Sequence, residues 1–289
     1  MQILLNTILL EPNRWTTDKI PHKPLENLLT KVKKFGFDKL EIWQYHISQH
    51  SEKEIRRLID IMKALNMTCP VLGAYPALHL FGKNTEESRK FTHLIQIAVK
   101  LNVKIFKVFA GNIASKKMNP KQKKQALQSL HTLALQLDAH GISLAIETHA
   151  NTLCDTPNST IKTLQSLSVS KNVGCCFQPY MDNNTQKAIE FFEEILPWIT
   201  HVHLQNRKTK KLKCCLLSEG DWIDYNILIP HLLKSKYNGD LSIEFTADMA
   251  TPDDPDKPIE SILKNAALDR HFVLSNWFKQ ESNCCIKCT

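Results

Sequence analysis

The sequence predicts a single (β/α)8 barrel, and three observations predict it. Eight short β-branched or apolar runs alternate with eight amphipathic stretches along the chain. The 289 residues suit such a barrel, for which about 250 is typical. The glycine-rich first turn of a doubly wound sheet is missing: Asn6 and Thr7 follow the first run, and the chain holds only eight glycines.

The predicted strands are Gln2–Leu5, Lys39–Trp43, Thr68–Leu72, Lys104–Phe109, Ser143–Thr148, Asn172–Phe177, Ile199–Gln205 and Leu241–Phe245. Predicted helices cover residues 24–35, 51–66, 84–101, 119–140, 158–168, 184–196, 224–236 and 258–275. Helix punctuation supports several of them. Ser51 with Glu54 reads as a capping box, Thr85 precedes an acidic first turn, and Gly36 and Gly141 sit just past helix ends. The barrel is assigned to residues 1–278, with 279–289 as a polar tail ending in Cys284, Cys285 and Cys288.

A hydrophobic fraction of 43%, charged residues at 23% and a mean hydropathy of −0.27 describe a globular protein with a large core. No run approaches the ~20 apolar residues of a membrane span, and the first residues read as a strand instead of a signal peptide. Nine cysteines, an odd number with adjacent pairs, do not form a secreted disulfide framework and point to the reducing cytoplasm. Cys175 and Cys176 are read as core packing. The net charge of +8 gathers in two runs, Lys116–Lys124 and Arg207–Lys213. Neither run interleaves aromatic residues, which disfavours nucleic acid and leaves a solvated lysine-rich face.

In such a barrel the chemistry lies at the C-terminal ends of the strands. Glu147 and Glu244 close otherwise apolar strands at matching depth, and His203 lies between them in strand order. Buried carboxylates need compensation, either from a hard divalent cation or from a cation of the protein such as Lys107. Trp43, His46, Tyr75, His79, Asn151 and Asn206 are the remaining strand-end candidates for substrate contact.

The chain resembles the xylose isomerase-like TIM-barrel superfamily nearly end to end. The resemblance rests on Leu40–Trp43, Val108–Gly111, Ala145–Glu147, His201–Leu204, the Ser218–Tyr225 loop and Leu241–Phe245. Within it, the run from Glu147 through His149, Asn151 and Asp155 to Thr156 is similar to the siderophore-pathway 3-dehydroshikimate dehydratases. That resemblance implies one Mg2+ or Mn2+, with Zn2+ as the other candidate, held by Glu147, His203, Glu244 and the strand-six residue, here Gln178. It implies His149 as the proton-transfer residue and Lys107 as the holder of a substrate carboxylate. Dehydration would begin with proton removal beside a ketone, the metal stabilising the enolate. In the epimerase branches Glu147 and Glu244 would themselves move the protons.

The chain departs from the family at three places. Strand six reads Gln178-Pro179-Tyr180-Met181 where relatives have Asp-x-x-His, strand seven ends Gln205-Asn206 in place of Lys-Asp or Lys-Asn, and Lys107 replaces an arginine. Four functions are therefore weighed: a dehydratase-like lyase, a sugar (phosphate) isomerase or epimerase, a catalytically impaired binding barrel, and a DNA-repair nuclease. The last would use His46 and His79 as further zinc ligands but lacks the strand-six pair and an Asp-x-His after strand seven. The expected partner is a small anionic or polyhydroxylated molecule. Oligomeric state stays open, a homodimer included.

Overall fold

In a computed structural model the chain closes into a parallel eight-stranded barrel. The structure describes residues 2–78, 85–235 and 237–285. The strands are β1 (Ile3–Asn6), β2 (Lys39–Trp43), β3 (Thr68–Ala74), β4 (Ile105–Phe109), β5 (Ser143–Glu147), β6 (Val173–Phe177), β7 (Ile199–Leu204) and β10 (Asp240–Ile243). Hydrogen bonding closes the ring in the order β1-β10-β7-β6-β5-β4-β3-β2. Around it lie α1 (Leu29–Lys34), α2 (Glu52–Ala64), α3 (Glu86–Lys100), α4 (Pro120–Asp138), α5 (Pro157–Leu167), α6 (Thr185–Ile195), α7 (Tyr225–Lys234) and α8 (Ile259–Cys285). The expected barrel and every predicted strand are thus present. Because helices cover the ring, the strands are buried on both faces, which is why they read as near-continuous apolar runs.

The local signals act as read. Ser51 and Glu54 form the capping box of α2, and Gly36 and Gly141 adopt φ of +88° and +67° past their helices. Asn119 with Gln122, and Thr156 with Ser159, make further boxes, each followed by proline at the first helical position. The boundary placed at residue 278 falls inside α8, and residues 286–289 lie outside the described residues. Cys69, Cys154, Cys175, Cys176, Cys214 and Cys215 are free and buried. Among the described residues no helix is long and apolar enough to cross a membrane.

One element was not predicted. Between β7 and α7 the chain forms an antiparallel hairpin of β8 (Asn206–Lys208) and β9 (Lys213–Cys215). It presents Lys208, Lys210, Lys211 and Lys213 to solvent as expected, but Arg207 is half-buried and turns toward the barrel mouth. Asn206 anchors the hairpin: its Nδ2 donates to the carbonyls of Leu217 and Ile223, both at 2.8 Å.

Candidate active site

Strand register brings a charged layer into the barrel. Glu41, Lys107, Glu147, His201 and His203 are all fully enclosed. Lys107 Nζ donates to Glu147 Oε2 at 2.5 Å, lies 3.3 Å from the Tyr75 hydroxyl and 4.0 Å from Glu41 Oε1. Room for these side chains comes from Gly73, where a Cβ would sit 3.2 Å from Glu41 Oε1 and 3.3 Å from Lys107 Cε. Glu41 accepts from Nε2 of both His201 and His203, each at 3.0 Å. With Nε2 committed to this carboxylate, His203 turns Nδ1 toward Glu244 Oε1 at 3.3 Å and Glu147 Oε1 at 3.7 Å.

Two glutamines close the layer from above. Gln178 Nε2 donates to Glu147 Oε1 at 2.8 Å, while its Oε1 accepts from Gln205 Nε2 at 3.0 Å. Gln205 Nε2 also donates to Glu244 Oε2 at 2.9 Å, and Arg207 Nη2 donates to Gln205 Oε1 at 3.0 Å. Continuous bonding therefore runs from Lys107 to Arg207 through Glu147, Gln178 and Gln205, with Glu244 attached at Gln205.

The electrostatics follow from enclosure and neighbours. Burial alone would push Glu41 up, but His203 and His201 carry it well below the usual carboxylate range. Burial opposes the Lys107 charge, yet Glu147, Tyr75 and Glu41 hold it well above an ordinary lysine. His203 is likewise raised against burial, by Cys176, Glu41, Glu244 and Glu147, and Glu244 is lowered against burial, chiefly by His203. Three carboxylates face one ammonium, which leaves two negative charges if both imidazoles are neutral. Two protons on the imidazoles balance that excess, and so does one divalent cation.

The residues fit such a cation. Ligand atoms of Glu147, His203 and Glu244 lie within 4.8 Å of one another. His203 Nδ1 is buried without a hydrogen-bond partner, and Glu41 behind Nε2 supplies the outer carboxylate that orients a metal-bound histidine. Gln178 offers a neutral amide where a carboxylate would bind more strongly, and at present turns its Nε2 to Glu147.

Above the glutamines opens a cavity of about 240 Å³. Gln178, Gln205 and Glu244 line it together with Trp43, Tyr75, Phe109 and His149, whereas Lys107, Glu147 and His203 lie beneath. His149 is held by its own loop. Its backbone N–H donates to the Cys154 carbonyl at 3.1 Å and its carbonyl accepts from Thr152 Oγ1 at 2.8 Å. Its ring stacks on Phe109 at 4.3 Å, and Nδ1 donates to the Ala150 carbonyl at 2.7 Å, leaving Nε2 as the lone-pair nitrogen of the neutral ring.

The structure thus gathers Trp43, Tyr75, Lys107, Glu147, His149, Gln178, His203 and Glu244. It does not bring three other candidates to the cavity. His46 is enclosed behind Trp43, donates Nε2–H to the Thr7 carbonyl at 3.4 Å, and is pushed down to about 4 by burial. Asn206 serves the hairpin, as described above. Asn151 is exposed and takes φ of +60°, so its part in the motif is the left-handed turn that positions His149. His79 lies outside the described residues. Lys107 is spent on Glu147 and does not reach the cavity, so a carboxylate anchor must be sought elsewhere.

Glu41, His201, Gln205 and Arg207 were missed as site residues. For Glu41 the signal existed: a carboxylate inside an apolar strand, as at Glu147. Parity placed His201 and His203 on the same face of β7. Gln205 and Arg207 carried no such signal, because their positions depend on a hairpin of three-residue strands.

The comparisons agree with this fold. Residues 29–266 match the family described as "Xylose isomerase-like TIM barrel". A 3-dehydroshikimate dehydratase of Bacillus anthracis is 23% identical over 179 residues, which span 59% of this chain and 62% of that relative's length. D-psicose 3-epimerase of Clostridium cellulolyticum H10, solved with D-tagatose, superposes with a TM-score of 0.72 at 19% identity, covering 95% of this chain and 99% of that one. A xylose isomerase-like barrel protein of Mycobacterium smegmatis, solved with magnesium, gives a TM-score of 0.68 at 16% identity, covering 95% and 96%.

Proposed function

Because this chain belongs to the xylose isomerase-like TIM-barrel family, we propose that it is a metal-assisted lyase or isomerase for a small polyhydroxylated carbonyl metabolite, laid out like a 3-dehydroshikimate dehydratase. His203 Nδ1 carries this reading: a buried ring nitrogen without a hydrogen-bond partner, facing two carboxylates, with Glu41 fixing the other ring nitrogen. Glu147, His203 and Glu244 would hold the ion, with Gln178 beside them. When bound, a divalent cation supplies Lewis acidity that polarises a carbonyl oxygen.

The chain's own groups supply the rest. His149 Nε2, left basic by the Nδ1 hydrogen bond and lining the cavity, removes a proton beside that carbonyl. Trp43, Tyr75 and Phe109 wall the cavity with apolar surface and limit water. Gln178 and Gln205 present amides at its floor, where they read substrate oxygens.

Metal analysis of the purified protein, followed by Mn2+, Mg2+ and Zn2+ titration of the apo form, tests the metal. Absence of bound metal together with no stabilisation by any of the three sinks it. Aromatic product appearing in the ultraviolet from 3-dehydroshikimate supports the lyase, and turnover of ketoses alone moves the protein to the epimerase branch.

A second reading, a non-catalytic binding barrel, is favoured by one observation. Each Glu147 oxygen already accepts a hydrogen bond, from Lys107 or Gln178, so its charge is balanced by the lysine without a metal ion. Ligand binding with no turnover of either substrate class would support it.

A further inference from the structure

We propose that the wall of the cavity formed by Arg14, Arg207 and Trp222 is an anion site, so that the substrate is a small molecule carrying a carboxylate or phosphate. This inference rests on the proposed function, since it names the substrate class of the same cavity.

Arg14 and Arg207 both line the cavity, and neither guanidinium forms an ion pair among the described residues. Each is oriented by the protein through its terminal nitrogens. Arg14 donates to the carbonyls of Glu11 and Ala250, and Arg207 to the Leu212 carbonyl and Gln205 Oε1. Each keeps a buried Nε–H with no acceptor, and Trp222 Nε1–H is a third donor in that condition. Buried donors in folded proteins are nearly always paired, and an uncompensated buried cation is costly. The three unpaired donors belong to residues of one cavity wall, and two of those residues are cations without a carboxylate partner; such a wall calls for an acceptor that brings negative charge.

The two cations are joined by aromatic surface. Arg14 lies 4.5 Å over the Trp15 ring, Trp15 meets Phe245 at 5.6 Å, and Arg207 lies 6.0 Å over Phe245. Lys19 adds a third cation to the same lining. Among the described residues Glu244 is the only carboxylate on it, and that is held by Gln205 and His203. Because Arg207 also fixes Gln205, an anion on this wall is coupled directly to the cavity floor. The cavity is smaller than the ~300–1,000 Å³ usual for drug-sized ligands, which restricts the occupant to a small metabolite.

Calorimetric titration with two matched pairs tests the assignment: shikimate against its methyl ester, and ribose 5-phosphate against ribose. At least one anion is expected to bind about tenfold or more tighter than its neutral partner, the scale of charge-assisted hydrogen bonds. The preferred pair identifies carboxylate or phosphate. In Arg207→Met that preference should collapse while the neutral probe still binds, and Arg207→Lys should recover part of it. Trp222→Phe, which deletes one donor and keeps the ring, gives a second and milder loss. Equal binding of charged and neutral probes, unchanged in Arg207→Met, overturns the anion site and leaves the proposed function standing. No binding of any of the four probes to the unaltered protein also overturns the anion site, while metal titration and turnover decide the proposed function separately.

Discussion

Glu147→Gln is the most informative single change, because it strands a cation in the barrel. Lys107 Nζ would lose its partner at 2.5 Å and keep only the Tyr75 hydroxyl at 3.3 Å and Glu41 at 4.0 Å. Removing one member of a buried ion pair costs about 3–5 kcal/mol, since the survivor stays desolvated. Glu41 offsets part of this, but its oxygens are already held by His201 and His203, so about 3 kcal/mol is expected. At roughly 2–4 °C per kcal/mol for a chain of this size, the melting temperature should fall by about 6–12 °C in differential scanning calorimetry. The double variant Lys107→Met with Glu147→Leu removes both charges and should recover most of the loss. In parallel, Mn2+ should raise the melting temperature of the unaltered protein and leave Glu147→Gln unchanged. A Glu147→Gln melt within about 2 °C of the parent, or a double variant no more stable than the single, would refute the ion-pair account.

Two further outcomes follow from the same geometry. Gln178→Glu adds a third carboxylate to the proposed ligand set while placing it beside Glu147; the apo protein should melt lower and bind Mn2+ about tenfold tighter by calorimetry, and an unchanged affinity would put the metal elsewhere. Asp269, buried and bonded to Thr246 and the Leu217 amide, is raised by burial to about 7 from 3.8. The stability this carboxyl contributes is present below 3.8 and lost as pH rises through about 7, so urea midpoints should fall across that window by less in Asp269→Asn than in the parent.

The barrel was legible because its cause is local. A strand buried on both faces must be apolar throughout, a helix covering it must be amphipathic, and the caps at Ser51, Gly36 and Gly141 mark where one becomes the other. The carboxylates were legible for the complementary reason: Glu147 and Glu244 interrupt that apolar pattern at strand ends. The motif around His149 named its residues, although Asn151 turned out to act through its backbone.

The chain pattern alone gives the fold, the two glutamates and the histidine at the strand ends, and the absence of a strand-six carboxylate. The tertiary structure decided how those groups are balanced. Lys107 was open to two readings, a substrate-carboxylate holder by resemblance or the cation that balances a buried glutamate, and strand register sets it beside Glu147 in the second. Glu41 meets two histidines from a strand some 160 positions away in the chain, a contact no periodicity encodes. Arg207 sat in a basic run that reads as solvated surface, and only the hairpin turns that one cation inward, toward Arg14 from the opposite end of the sequence. Pairwise charge compensation across a closed barrel depends on distances in space, and a pattern along the chain does not carry them.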